Sequence, residues 1–344
     1  MKATFERREF PLEYPFTISR GTQETAATVV VRVEDDDGIV GVGAAGPSAH
    51  YGETAATVEA VMPDLLEVVE RVDDLSNAQR IEAGMRRVVE DNPSARTAVS
   101  IAVHDLLAKR AGLPLYEYWG LDPAQSVDTS YTIGIDDAET MREKTLEAVD
   151  RGYGTLKVKL GTSRDEELLS TVREAAPDAT IRVDANEAWT PKEAVRHIEW
   201  LEDYGVEFVE QPVPAENTQG LRYVYERSRL PIAADESCVV ASDVPKIADK
   251  CDIANLKLMK TGGLREARRL IHTARAHGLE VMCGCMAESN ASIAAACHLA
   301  PLLDYADLDG SLLLDRDDFE GVPMPAGRVD LEALDRPGTG AREA

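Results

Sequence analysis

From about residue 128 the chain repeats one rhythm, a short β-rich run followed in most cases by an amphipathic helical stretch. Eight runs can be read: SYTIGI (130–135), TLKVKL (155–160), TIRVDAN (180–186), EFVEQP (207–212), IAADES (232–237), IANLKLM (253–259), EVMCGC (280–285) and YADLDG (305–310). The helical partner is clearest in TPKEAVRHIEWLEDYG (190–205). Thr190 suits the N-cap and Pro191 the first turn, Ala194, Val195, Ile198 and Leu201 form one apolar stripe, and Gly205 ends it. Strands that alternate with helices build a parallel sheet, and eight of them predict a (β/α)8, TIM-like barrel. A doubly wound open sheet is the other fold with this rhythm, but the phosphate loop expected there is missing.

Residues 1–125 follow a different plan. ATFERREFPLE and AATVVVRVEDDDGIVGVGAAG alternate like strands, with DDDG as a hairpin turn. Two helical stretches follow, TAATVEAVMPDLLEVVERV, where Pro63 predicts a kink or break, and SARTAVSIAVHDLLAKRAG, closed by Gly112. The expected organisation is an α+β capping domain (1–125, completed by 316–344) on a barrel domain (126–315).

In such barrels chemistry sits at the carboxyl ends of the strands. Those ends carry Lys157 and Lys159 on the second run, Asp184 on the third, Glu210 on the fourth, Asp235 on the fifth, Lys257 on the sixth, and Asp307 with Asp309 on the eighth. A single strand-end acid is usually only solvated. Three on consecutive strands would repel one another and lose hydration unless a cation lay between them. All-oxygen ligands point to Mg2+, with Mn2+ sharing the preference. Residues of the second and sixth strands face each other across a closed ring, so a substrate on the cation would have a lysine over each face. Lys157 and Lys159 point to one side of their strand. Two neighbouring ammonium groups lower each other's proton affinity, which makes Lys159 the expected base and Lys157 the group that tunes it and faces the substrate carboxylate. Asp307 and Asp309 form a second carboxylate pair, suited to an α-ammonium group.

The 62 acidic and 37 basic residues give a net charge of −25, so a nucleic-acid partner is not expected. The acids are dispersed, as on proteins that stay soluble in strong salt, and a halophilic source is the leading explanation. No run of 18 apolar residues and no signal-peptide core is present. A cytoplasmic protein without a membrane partner is expected, with five reduced cysteines. A homo-oligomer is expected, its order left open.

KVK (157–159), VDAN (183–186), VEQP (209–212), ADES (234–237) and NLKLMKTGG (255–263) together resemble the muconate-lactonizing-enzyme subgroup of the enolase superfamily, over nearly the whole chain. The resemblance implies Mg2+ held by Asp184, Glu210 and Asp235, proton abstraction α to a substrate carboxylate by Lys159 or Lys257, and an enediolate stabilised by the metal. Mandelate-racemase-like members would carry a His-Asp dyad where this chain has Lys257 and Cys285. DLDG resembles the DxD motif with which dipeptide epimerases hold the substrate's N-terminus, implying a dipeptide such as Ala-Glu as the small-molecule substrate. Thr132, Cys285 and Met286 fall at substrate-contacting positions of that family. Arg20, in the expected mobile cap loop FTISRGT, is the expected grip on a glutamate side chain. Thr22 and PSAHYGET (47–54) are expected to line the lid, with His50 as a packing residue. Within the subgroup, o-succinylbenzoate synthase, N-acylamino-acid racemase and muconate-type cycloisomerase are the alternatives.

Overall fold

The computed structural model describes residues 1–72 and 74–344. Three long strands come first, β1 (Lys2–Ile18), β2 (Gly21–Glu34) and β3 (Val40–Ala45), paired antiparallel in that order. The run VVVRV in β2 is apolar at successive positions because both faces are covered. Val29, Val31 and Val33 pack on helices α1 (Ala55–Glu70), α2 (Ala78–Val88) and α3 (Pro93–Ala111), while Val30 joins Val42, Ala44, Ala291 and Phe319 on the other face. Gly41 and Gly43 let α3 lie directly on β3. A Cβ at either would come within 2.0 Å and 2.2 Å of the carbonyl oxygens of Ala102 and Ala98.

Helix α1 departs from expectation: it runs through Pro63 unbroken. The proline withholds a single amide from the i−4 ladder, and the neighbouring buried Met62, Leu65 and Leu66 keep the helix on the cap core. Helix α3 is buried from Ser94 to Ala108 because it lies between cap and barrel. Its Thr97 hydroxyl donates to the Leu258 carbonyl at 2.7 Å, and its Ser100 hydroxyl accepts from the Leu264 amide at 3.0 Å.

The eight β-rich runs form β4 (Tyr131–Ile133), β5 (Thr155–Lys159), β6 (Thr180–Asp184), β7 (Val206–Glu210), β8 (Ile232–Ala234), β9 (Ile253–Lys257), β10 (Glu280–Gly284) and β11 (Tyr305–Ala306). Neighbours in sequence are neighbours in the sheet, all parallel. The ring closes where Thr129 bridges Ala306 in parallel and the Ser130 amide donates to the Ala306 carbonyl at 3.1 Å. This is the expected (β/α)8 barrel with an antiparallel cap sheet. The helix Pro191–Asp203 starts with a reciprocal capping box between Thr190 and Glu193.

The end of the chain returns to the cap sheet, where Arg8 pairs with Asp318 and Glu343 at 3.2 and 3.0 Å. The segment expected as a loop around Arg20 is instead a hairpin tip. β1 and β2 stay paired to Ile18–Gly21, leaving Ser19 and Arg20 as the turn. Among the described residues no helix is long and apolar enough to cross a membrane.

Candidate active site

Parallel register places the site. Lys159 lies opposite Asp184, and Asp184 opposite Glu210, so three neighbouring strand ends project at one level. Asp235 follows β8 directly and completes the set. The three carboxylates are fully buried, and one oxygen from each falls within 4.8 Å of the others.

Lys159 and Lys257 flank this cluster from β5 and β9, four strands apart in a ring of eight. Lys159 Nζ lies 2.6 Å from Asp184 Oδ2, and Lys257 Nζ lies 2.7 Å from Asp235 Oδ2. Both line a cavity of about 680 Å³ between barrel mouth and cap.

Lys157 has a different place from the one expected. It points into the barrel as Lys159 does, but two residues deeper, and is 1% exposed. Its Nζ sits 2.7 Å from Asp307 Oδ2, 2.8 Å from Glu210 Oε2 and 3.1 Å from Asp184 Oδ2. Burial pulls its pKa down, but Asp307, Glu210 and Asp184 outweigh burial and hold it well above the ordinary lysine value. It is the cationic floor of the site, below the cavity.

The carboxylates divide electrically. Burial pushes Asp184 and Asp235 up, yet the lysines win and hold both below the usual range: Lys159 and Lys157 for Asp184, Lys257 and Lys260 for Asp235. Glu210 is pushed up to about 7, by burial first and then by the Asp184 charge. Glu210 Oε2 and Asp235 Oδ2 are buried without a well-formed hydrogen bond. Each lies beside a lysine ammonium, at 2.8 Å from Lys157 and 2.7 Å from Lys257, and an all-carboxylate set of oxygens converging this closely fits a hard divalent cation.

Across the mouth, Asp307 Oδ1 accepts from the Ser130 hydroxyl at 2.7 Å, and Asp309 Oδ2 accepts from the Thr132 amide at 2.6 Å. The Thr132 hydroxyl reaches Asp307 at 3.4 Å, and Cys285 Sγ lies 3.9 Å from Asp309 Oδ1. Asp309 is pushed up to about 7 by burial and by Asp307, while Lys157 and Lys159 outweigh burial and hold Asp307 down. Thr132, Cys285, Met286, Asp307 and Asp309 all line the cavity, as do Arg20, Thr22 and His50.

Residues 1–120 match the mandelate racemase/muconate lactonizing enzyme N-terminal domain, and residues 140–342 the enolase C-terminal domain-like family. The chain belongs to the enolase superfamily. An L-Ala-D/L-Glu epimerase of Bacteroides thetaiotaomicron is 38% identical, over 99% of this chain and 87% of the relative. A hydrophobic dipeptide epimerase of Enterococcus faecalis is 38% identical over 94% and 92%. A crystal structure of dipeptide epimerase from Enterococcus faecalis with Mg and L-Leu-L-Tyr superposes with TM-score 0.93 at 35% identity, covering 99% of both chains. A substrate-liganded L-Ala-D/L-Glu epimerase from Bacillus subtilis gives 0.94 at 31%, covering 100% and 99%.

In this enolase-superfamily member several supporting groups escaped the reading of the sequence. Lys260 is fully buried, with Nζ on Asp235 Oδ1 and on the carbonyls of Asp235 (2.6 Å), Cys238 (2.9 Å) and Asn255 (3.1 Å). Asn255 Nδ2 donates to Glu210 Oε1 at 2.8 Å, and Gln211 Oε1 accepts the Asp235 amide at 2.9 Å. The signal for Lys260 and Asn255 was present, since both lie within NLKLMKTGG. Arg20 reaches the barrel rim: Nη1 donates to the Asn186 carbonyl and Glu187 Oε2, each at 3.0 Å, and Nη2 to Glu236 Oε1 at 2.8 Å. His50, Glu187 and Glu236 also come within metal-ligand reach of one another, but the Arg20 guanidinium already pairs both carboxylates.

Proposed function

We propose that the chain is a Mg2+-dependent dipeptide epimerase, moving a proton at the carbon α to the substrate carboxylate. The observation that carries this reading is the pair of lysines, Lys159 and Lys257, on opposite strands of one cavity. Asp184, Glu210 and Asp235 would hold the cation. When bound, it supplies Lewis-acid stabilisation for the negative charge that gathers on the substrate carboxylate as the α proton leaves. One lysine accepts that proton, and the other delivers a proton to the opposite face, inverting the centre. Lys157 adds positive charge beneath the site. Asp307 and Asp309 receive the dipeptide ammonium, which an N-acylated or succinylated substrate lacks. Mn2+ is an acceptable substitute on the same oxygen donors.

The proposal extends to setting. A salt-rich cytoplasm fits the dispersed charge of −25, and a homo-oligomer remains the expected assembly. The test is incubation of Mg2+-loaded protein with an L-L dipeptide library at high salt, followed by chiral analysis of the hydrolysed products. A D residue at the C-terminal position supports the proposal, and L residues throughout would sink it.

A further inference from the structure

We infer that the residue inverted carries an uncharged side chain, and that Arg20 fastens the lid instead of reading that side chain. The inference rests on the dipeptide proposal above. Proton removal leaves a planar α-carbon whose two faces look toward Lys159 and Lys257. Its three remaining substituents lie in the plane between the lysines. The carboxylate is directed to the acids at the ends of β6, β7 and β8, and the amide to Asp307 and Asp309 beyond β11. The third direction leads out of the barrel, to the cap-facing wall of the cavity.

That wall carries Ile18, Arg20, Thr22, His50 and Tyr51. Of the two arginines that line the cavity, Arg7 pairs with Glu9 at 2.6 Å, and Arg20 is held by two carboxylates, Glu187 at 3.0 Å and Glu236 at 2.8 Å. Glu236 is 5% exposed, and its Oε2 accepts no hydrogen bond. A substrate carboxylate that took Arg20 would leave Glu236 buried without its cation, a costly state. It would also enter a region where Glu187 and Glu236 together outweigh the arginine charge. The same three contacts tie the β1–β2 hairpin tip to the segments after β6 and β8, so Arg20 closes the cap over the cavity. What is left for a side chain is the surface of Ile18, Thr22, His50 and the Tyr51 ring.

The experiment compares kcat/KM for L-Ala-L-Leu, L-Ala-L-Glu and L-Ala-L-Lys with the Mg2+-loaded protein. The expected result is a preference for Leu over Glu of roughly tenfold or more. Arg20→Ala then lowers all three by similar factors, and Glu187→Gln improves L-Ala-L-Glu relative to L-Ala-L-Leu. A Glu preference that Arg20→Ala selectively removes overturns the inference. A Lys preference overturns it too, by showing that the free oxygen of Glu236 reads a cation. Turnover of other dipeptides but none of these three also counts against it, whereas inactivity on every dipeptide removes the epimerase proposal beneath it.

Discussion

Lys159 and Lys257 stand on opposite strands of the barrel, each ion-paired to a different member of one carboxylate cluster. The Lys159–Asp184 distance is 2.6 Å and the Lys257–Asp235 distance 2.7 Å. Each ammonium is thus held at the rim of the proposed cation site, and both face the cavity.

The cluster predicts a pH-dependent cation affinity. Glu210 titrates near 7, raised above the usual carboxylate value. Below that pH it carries a proton that a cation must displace, so affinity falls as the solution is acidified. Isothermal titration with Mg2+ between pH 8 and pH 6 is expected to show weakening that approaches roughly tenfold per unit on the acid side. Glu210→Gln is expected to bind weakly with most of that slope gone.

Asp309 makes a parallel prediction for substrate. It is pushed up to about 7, so it is charged only on the alkaline side of that value. The proposed ammonium pocket then loses one of its two charges as pH falls, and KM for dipeptides is expected to rise below pH 7. Asp307→Asn leaves the buried Lys157 with one partner fewer and removes the other charge. It is expected to raise KM by about tenfold or more, the scale of one charge-assisted bond, measured by steady-state kinetics.

Lys260 is expected to be a positioning residue. Its ammonium fixes Asp235 from below while touching neither cavity nor substrate. Lys260→Met should cost about 3–5 kcal/mol, the scale of breaking a buried ion pair, read by denaturant unfolding. The fraction that remains folded should bind Mg2+ more weakly, a change that lost packing alone would not cause. Lys260→Arg is expected to fail as a rescue, because the site is fully enclosed and already holds four acceptors.

The contact of cap and helix gives a prediction on stability. Gly43→Ala places a methyl group 2.2 Å from the Ala98 carbonyl oxygen, so β3 and α3 must move apart. An overpacking loss of about 1–3 kcal/mol is expected in chemical denaturation, whereas Gly154→Ala, in open space and without a positive φ, should cost less.

The parts of this fold that were legible were those written locally. Strand runs, helix caps and the acids at strand ends are periodic features, and Asp184, Glu210 and Asp235 stand where that periodicity puts them. Depth was not legible. Alternation tells which side of β5 bears Lys157 and Lys159, but only the three-dimensional packing of Asp307 under the barrel mouth shows that Lys157 is sealed below the cavity. The contacts of Arg20 were illegible for a related reason. Its partners Glu187 and Glu236 lie 167 and 216 residues away, and no local pattern announces them. Pro63 shows the same limit in a helix, where burial of Met62, Leu65 and Leu66 outweighs a local break signal.

The central claim is that two lysines work on opposite faces of one α-carbon. The direct measurement is proton NMR of the C-terminal residue's Cα–H in D2O, with Mg2+ and a turned-over dipeptide, for the wild type, Lys159→Ala and Lys257→Ala. The wild type is expected to exchange and invert. Each variant is expected to lose inversion by about 10³-fold or more, while keeping exchange on one substrate epimer only, the opposite one in the two variants. Inversion that survives in either variant, or exchange lost from the same epimer in both, would contradict the account.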